Sequence, residues 1–276
     1  MNFSKIISKL TYTIFAMSLL FTVACKKDKD GGDGPIVEPT AKKVTRIEND
    51  ANNYITFEYN GDGTLKKINN VSQEDEEALT GVMNLSYNAN KKIDEINNAN
   101  GTRIKYIYTN NIVTSTDIFD ESDIKVAYTL FTYQGTKLAS ATLKVPYENE
   151  VGETEEYTVL RAEYQYYTNG DVKEVHAYIP NLLTGELEKS TVTKYEQYDD
   201  KINPLAQLGE ISVLFFTDVS GRNVRLQKEF NANGTLEETV TNEYTYDAQG
   251  YPTLCKQTTT PAGGTAEVKN VKFFYN

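Results

Sequence analysis

The sequence predicts an all-β protein, a long antiparallel meander of repeated hairpins that curls into a barrel-like or half-open sheet. Apolar or aromatic residues occupy every second position in segments such as 55–59, 83–87 and 104–108, as half-buried strands require. Asn-Gly recurs at 60/61, 100/101, 169/170 and 233/234, and this dipeptide accepts the positive φ of tight hairpin turns. The predicted meander covers residues 42–276.

Residues 1–24 predict a lipoprotein signal peptide. Lys5 and Lys9 precede an apolar stretch that ends at Val23 and is too short to span a bilayer as a mature helix. Ala24 followed by Cys25 resembles the bacterial lipobox, which implies cleavage before Cys25 and acyl chains on that cysteine. The membrane is then a partner through the acyl chains on Cys25. A simple cleaved signal and a retained anchor are the alternatives.

Residues 25–41 predict a flexible charged tether. Lysines, aspartates and glycines fill 26–34 and cannot bury apolar area, so some 15 residues would reach roughly 20 Å. Lys26 stands where many inner-membrane lipoproteins carry Asp, and the charged run 26–30 resembles the surface-export signals of some Gram-negative lipoproteins. We expect a lipid-anchored protein of the outer membrane, with cell-surface exposure favoured and the periplasmic leaflet left open.

The acidic charge restricts the partners. The net charge of the chain is −11, and removal of residues 1–24 takes away two lysines and no acid, which leaves −13. Nucleic acid and anionic lipid headgroups both require a basic face, so neither is an expected ligand of the domain. The expected ligand is a neutral glycan or a protein.

One segment departs from the strand pattern. Asn203 can cap a helix, Pro204 fits its first position, and Leu205, Leu208 and Ile211 follow at helical spacing. We predict one short helix near 204–211 that closes the sheet with its apolar side chains. Residues 213–216 are uniformly apolar and fit either a buried strand or a continuation of this helix.

The strands and turns form repeats. The repeated motif is an aromatic residue at a strand end, then an Asn or Asp, and a Gly three residues after that. It occurs at 57–65, 229–236 and 244–250. Weaker copies occur at 87, 133 and 167, and in the copy at 87 Lys91 replaces the Gly. These residues resemble the tyrosine-aspartate repeats of bacterial surface proteins. Together with the lipobox and the block from Tyr198 to Leu205, they also resemble an uncharacterised bacterial lipoprotein family described as having a porin-like fold. That resemblance implies a fold and no activity.

Catalytic and metal-binding patterns are missing from the sequence. It contains one histidine, His176, in an alternating strand, and Cys255 is the one cysteine left after Cys25. We predict that both are ordinary residues of the sheet or core, and we expect no catalytic residue, metal or cofactor. Acidic runs near 74–77, 120–123 and 148–156 are typical of solvated loops, with a weak calcium site as the alternative.

The twenty tyrosines are the compositional anomaly. Packing of the sheet face explains them well, but tyrosine rings also stack on sugars. Tyr106, Tyr108, Tyr164 and Tyr166 are the candidate ligand-binding residues if their rings are exposed on adjacent strands. The sequence thus predicts a non-catalytic binding or adhesion module, with a carbohydrate-active enzyme and a membrane-spanning porin-like barrel as alternatives.

Overall fold

The computed structural model describes residues 42–74, 77–148, 152–181, 183–215 and 220–276. The predicted signal peptide, Cys25 and the tether lie outside the described residues. No helix of the described part is long and apolar enough to cross a membrane.

The domain is a sixteen-stranded antiparallel meander. Its strands are β1 (Val44–Asp50), β2 (Asn53–Tyr59), β3 (Leu65–Glu74), β4 (Glu77–Tyr87), β5 (Ile93–Asn98), β6 (Arg103–Thr109), β7 (Ile112–Phe119), β8 (Lys125–Gln134), β9 (Lys137–Glu148), β10 (Thr154–Tyr166), β11 (Val172–Pro180), β12 (Leu187–Ile202), β13 (Arg222–Asn231), β14 (Leu236–Tyr246), β15 (Pro252–Pro261) and β16 (Glu267–Tyr275). This confirms the predicted all-β meander.

The sheet closes into a barrel. Each strand pairs with its sequence neighbours, and β1 also pairs with β16, with Val44 opposite Tyr275 and Ile47 opposite Phe273. The first and last strands therefore have no open edge, which an unclosed sheet would leave for pairing with other chains. Of the two forms that the sequence left open, the barrel is the observed one.

Seven of the hairpin turns in the described part of the chain share one hydrogen-bond pattern. The first residue donates its N–H to the carbonyl of the fifth, and the fourth donates its N–H to the carbonyl of the first, in the turns at 60–64, 88–92, 98–102, 120–124, 167–171, 231–235 and 247–251. The fourth residue has a positive φ in every one, including Gly63 (87°), Gly234 (79°) and Gly250 (84°). Lys91 takes the same conformation at 57°. At Asn60-Gly61, the positive φ belongs to Gly63 and not to Gly61, because Asn60 begins that turn.

A 3-10 helix, Pro204–Phe215, connects β12 to β13, and we call it the plug. Its Leu205, Leu208 and Ile211 are 4%, 6% and 1% exposed and belong to the main hydrophobic core. The predicted short helix is confirmed, and residues 213–215 continue it, whereas Phe216 lies outside the described residues. The plug therefore fills the barrel with the apolar side chains that the sequence analysis assigned to it.

Charged residues recur on the outer wall of the barrel, among exposed apolar residues such as Ile107, Leu130 and Phe274. They alternate with core residues along the strands and so point outward. Ion pairs join Glu58 to Lys67, Glu95 to Arg103, Asp117 to Lys125, Lys144 to Glu156, Arg161 to Glu163, Glu196 to Lys228, and Glu243 to Lys256. Each pair lies at a solvated surface and adds little stability. Their distribution nevertheless makes the wall polar around the barrel.

Candidate functional site

Tyrosine side chains line one end of the barrel from the inside. The tyrosine near the end of each of six even-numbered strands donates its hydroxyl to a backbone carbonyl near the start of the preceding strand. The pairs are Tyr59 to Val44, Tyr87 to Leu65, Tyr108 to Ile93, Tyr166 to Leu138, Tyr198 to Val172 and Tyr275 to Pro252, at 2.6–2.8 Å. We call these six residues the tyrosine girdle. Burial raises the hydroxyl pKa values of Tyr59, Tyr87, Tyr108, Tyr198 and Tyr275, that of Tyr87 to about 12, so these hydroxyls remain donors.

The four tyrosines proposed as a stacking platform are not exposed. Tyr106 and Tyr164 are 3% and 7% exposed and belong to the core. Tyr108 and Tyr166 are half-buried members of the girdle. Packing against the core therefore accounts for all four rings, because the inward face of the sheet is the face that carries alternating aromatic residues. A tyrosine directly before an Asn or Asp was the sequence signal for four of the girdle residues: Tyr59, Tyr87, Tyr198 and Tyr275.

The block from Tyr198 to Leu205, which carried the family resemblance, builds the base of the plug. Asn203 is fully buried, and its Oδ1 accepts the N–H of Leu205 at 3.0 Å, which caps the helix as predicted. Its side-chain amide donates to the carbonyls of Ser220 and Arg222, both at 3.4 Å. Asn203 thus holds the two ends of the plug segment together.

Asp199 ties this base to the neighbouring strands. Its carboxylate accepts the Lys201 N–H at 3.0 Å and the Asn223 N–H at 3.1 Å, together with the hydroxyl of Tyr246. Asn223 is 2% exposed. Beside it, Arg222 pairs with the buried carboxylate of Asp171. The polar residues of the block therefore have structural partners within the barrel.

Glu210, in the middle of the plug, ties it to the opposite side of the barrel. Its carboxylate accepts a hydrogen bond from the Lys92 ammonium at 2.5 Å and one from the Tyr108 hydroxyl at 2.7 Å, and it shares the single proton of that hydroxyl with the Ile93 carbonyl. Lys92 precedes β5 and Tyr108 lies on β6, whereas the plug starts from β12, which is seven strands from β5 and six from β6 around the sixteen-stranded ring. The plug therefore crosses the barrel. We call the end of the barrel that contains the plug and the tyrosine girdle the plugged end.

A cavity of about 360 Å³ opens beside the plug base, between the end of β12 and the β14–β15 turn. This volume is at the lower end of the range for small-molecule sites, about 300–1,000 Å³. Its lining comprises Asp200, Lys201, Ile202, Tyr246, Asp247, Ala248, Gln249 and Gly250. The cavity combines one aromatic ring with carboxylates, an ammonium group and an amide.

The cavity carboxylates are held in their charged form. The Lys201 ammonium, 3.2 Å away, lowers the pKa of Asp200. The Lys42 ammonium, 2.6 Å from Oδ2, lowers the pKa of Asp247. Burial and the bond to Asp199 raise the pKa of Tyr246, so its hydroxyl stays protonated. At neutral pH both carboxylates can accept hydrogen bonds and neither can donate one.

His176 and Cys255 lie outside this site. The Nε2 atom of His176 is 2.9 Å from Glu174 on the outer wall. Cys255 is 4% exposed, and burial raises the pKa of its thiol to about 12. In the described part of the chain, no three His, Cys, Asp or Glu side chains are placed to hold a metal ion.

The two barrel ends differ in charge. The described turns of the plugged end, with the plug and residues 42–43, carry four basic and four acidic side chains: Lys42, Lys43, Lys91 and Lys92 against Asp62, Asp171, Glu210 and Asp247. The described turns of the opposite end carry five acidic side chains and no basic one: Asp120, Glu121, Asp123, Glu153 and Glu186. We call the latter the acidic end.

Two solved structures resemble this barrel. A porin-like protein from Bacteroides uniformis is 13% identical, with a TM-score of 0.52, and the match covers 84% of this chain and 96% of that one. A porin-like protein from Bacteroides vulgatus is 13% identical, with a TM-score of 0.51 and coverages of 85% and 99%. At this identity the likeness shows the fold alone, and it confirms the porin-like architecture that the resemblance implied. No family model matches the chain, and no curated protein matches it.

Proposed function

We propose that the chain is a lipid-anchored, non-catalytic binding module of the outer membrane that holds a neutral glycan in the cavity of its plugged end. The observation that carries the proposal is the mixed lining of that cavity. A sugar presents hydroxyl groups that both donate and accept, together with an apolar ring face. An aromatic ring surrounded by fixed donors and acceptors is the matching surface.

The charges of the lining favour a ligand that donates hydrogen bonds. Asp200 and Asp247 are charged acceptors, whereas Lys201 donates and Gln249 does both. Bonds to charged groups contribute about 1.5–3 kcal/mol each. Because the domain is strongly acidic, polyanionic ligands would be repelled, and a neutral polyhydroxylated ligand fits best.

The same carboxylates support a binding role over glycoside hydrolysis. That reaction needs one carboxyl group with a raised pKa to protonate the leaving oxygen, beside a second charged carboxylate. Lysine partners lower the pKa of both Asp200 and Asp247. Neither of them has the environment of a general acid.

A membrane-spanning barrel is the second candidate, because the closed barrel has an even number of antiparallel strands. Its outer wall argues against that role. A Lys or Arg facing lipid costs about 2–4 kcal/mol at the bilayer midplane, and ion pairs recur around this wall. Spanning barrels also place their aromatic girdles outward at the lipid interfaces, whereas the tyrosine girdle points inward. These features support a solvated barrel held to the membrane through Cys25.

Fractionation of Cys25→Ala tests the anchor. The variant should be exported and folded but released from the membrane fraction, because stable anchoring requires at least two acyl chains or equivalent signals. Retention of Cys25→Ala in the membranes after a high-salt wash would contradict the anchor and favour the spanning barrel.

A glycan array probed with purified Cys25→Ala tests the ligand. Hits are then titrated with Asp200→Ala and Gln249→Ala in the same background, and we expect the carboxylate change to weaken binding about tenfold, as loss of a charged hydrogen bond predicts. Asn233→Ala is the matched control, because Asn233 holds the same turn position as Gln249 at the acidic end. An array without hits, or hits unaffected by both cavity variants, would overturn the proposal.

A further inference from the structure

The chain enters the barrel at the plugged end. The Lys42 ammonium pairs with Asp247 at 2.6 Å, beside the cavity. The backbone of Lys43 exchanges hydrogen bonds with Asn276, donating to Oδ1 at 3.1 Å and accepting the N–H at 3.2 Å. These contacts place residues 42 and 43, where the described chain begins, at the same end as the plug, the tyrosine girdle and the cavity.

The length of that segment limits how far the plugged end can lie from an anchored Cys25. Residues 26–41 can span at most about 56 Å when fully extended, at 3.3–3.6 Å per residue. The acidic end lies one strand length away from this entry point. A strand such as β10, with 13 residues, extends about 30 Å along the axis at the usual barrel tilt.

The charge difference between the two ends also favours an orientation with the plugged end toward the membrane. An anionic lipid surface repels the acidic end, where the described turns carry five acidic side chains and no basic one. At the plugged end the charges of the described turns cancel, and each lysine near the surface is attracted by about 1 kcal/mol. Electrostatic repulsion within about 8 Å of the membrane would therefore turn the acidic end away from it.

We propose that the plugged end faces the lipid surface to which Cys25 is anchored, and that the acidic end points away from the membrane. This orientation rests on the proposed lipid anchor. The cavity then opens toward the membrane, into a gap that the segment 26–41 keeps narrower than about 56 Å. The occupant of this face is the bilayer surface, and the ligand must reach the cavity through that gap.

Energy transfer from two matched labels tests the orientation. Asn90→Cys lies in the 88–92 turn of the plugged end, and Asn233→Cys lies at the same position of the 231–235 turn of the acidic end. Each variant of the full lipidated chain is labelled with a fluorescent donor and placed in phosphatidylcholine vesicles that contain phosphatidylglycerol and an acceptor-labelled headgroup. Cys255 is buried and its thiol pKa is about 12, so it should not take the label.

Because the acidic end lies about 30 Å farther from the anchor, we expect roughly twofold or greater transfer from residue 90 over residue 233. Equal transfer, or greater transfer from residue 233, in chains that float with the vesicles would overturn the orientation and leave the anchor intact. Chains that do not float with the vesicles would overturn both the anchor and the orientation.

Discussion

The plug provides a direct test of how this barrel is stabilised. Ile211 is 1% exposed within the main core. Its change to Ala deletes three carbon atoms at a site closed on all sides, where Ile→Ala costs about 2–5 kcal/mol through lost burial and the remaining cavity. For a domain of this size, each kcal/mol corresponds to about 2–4 °C, so Tm should fall by about 4–20 °C.

Urea unfolding of the Cys25→Ala background, followed by circular dichroism, measures this cost. The midpoint should fall while the m-value stays constant, because the area exposed on unfolding is nearly unchanged. Ile179→Ala is the matched control, since Ile179 is 47% exposed and a surface change should remain within about 0.5 kcal/mol. If the free energies of unfolding of Ile211→Ala and Ile179→Ala agreed within that margin, the plug would not be part of the core.

Three further changes test the turns, the girdle and the interior charge. Gly234→Val should lower the free energy of unfolding by about 1–3 kcal/mol, because the φ of residue 234 is 79° and the added side chain meets no neighbouring atom, so backbone strain is the only cost. Gly61→Val is the control, since Gly61 also has free space but no positive φ, and it should cost less. Equal costs would refute strain in the turn. Tyr59→Phe removes the hydroxyl bond to Val44 and should lower the free energy of unfolding by about 0.5–1.5 kcal/mol. Tyr54→Phe, on the outer face, is the control and should lower it by less. Burial, with repulsion from Glu238, raises the pKa of Glu229, so folding opposes its charged form. Glu229→Gln should therefore raise Tm at pH 7, and the gain should vanish near pH 3, below the ordinary glutamate pKa of about 4.3; a gain of equal size at both pH values would exclude the charge as its cause.

Local patterns determined the strands, the turns and the plug. The positive φ of Gly63, Gly234 and Gly250 followed from an Asn or Asp three residues earlier, because the turn type depends on a few adjacent residues. The cap at Asn203 and the apolar spacing of the plug followed in the same way. The hairpin repeat also predicted a continuous curved sheet, since one hairpin cannot bury its apolar face alone.

Tertiary structure alone decided closure, burial and the meeting of distant segments. Pairing of β1 with β16 joins residues more than two hundred positions apart, and no local propensity encodes such a contact. Alternation was readable from the sequence, but the inward direction of Tyr106 and Tyr164 was not, because both faces of a strand repeat with the same period. The cavity forms from the ends of β12 and β14, which only the barrel brings together. The charge difference between the two ends has the same origin, since hairpin connectivity places alternate turns at opposite ends of the closed sheet.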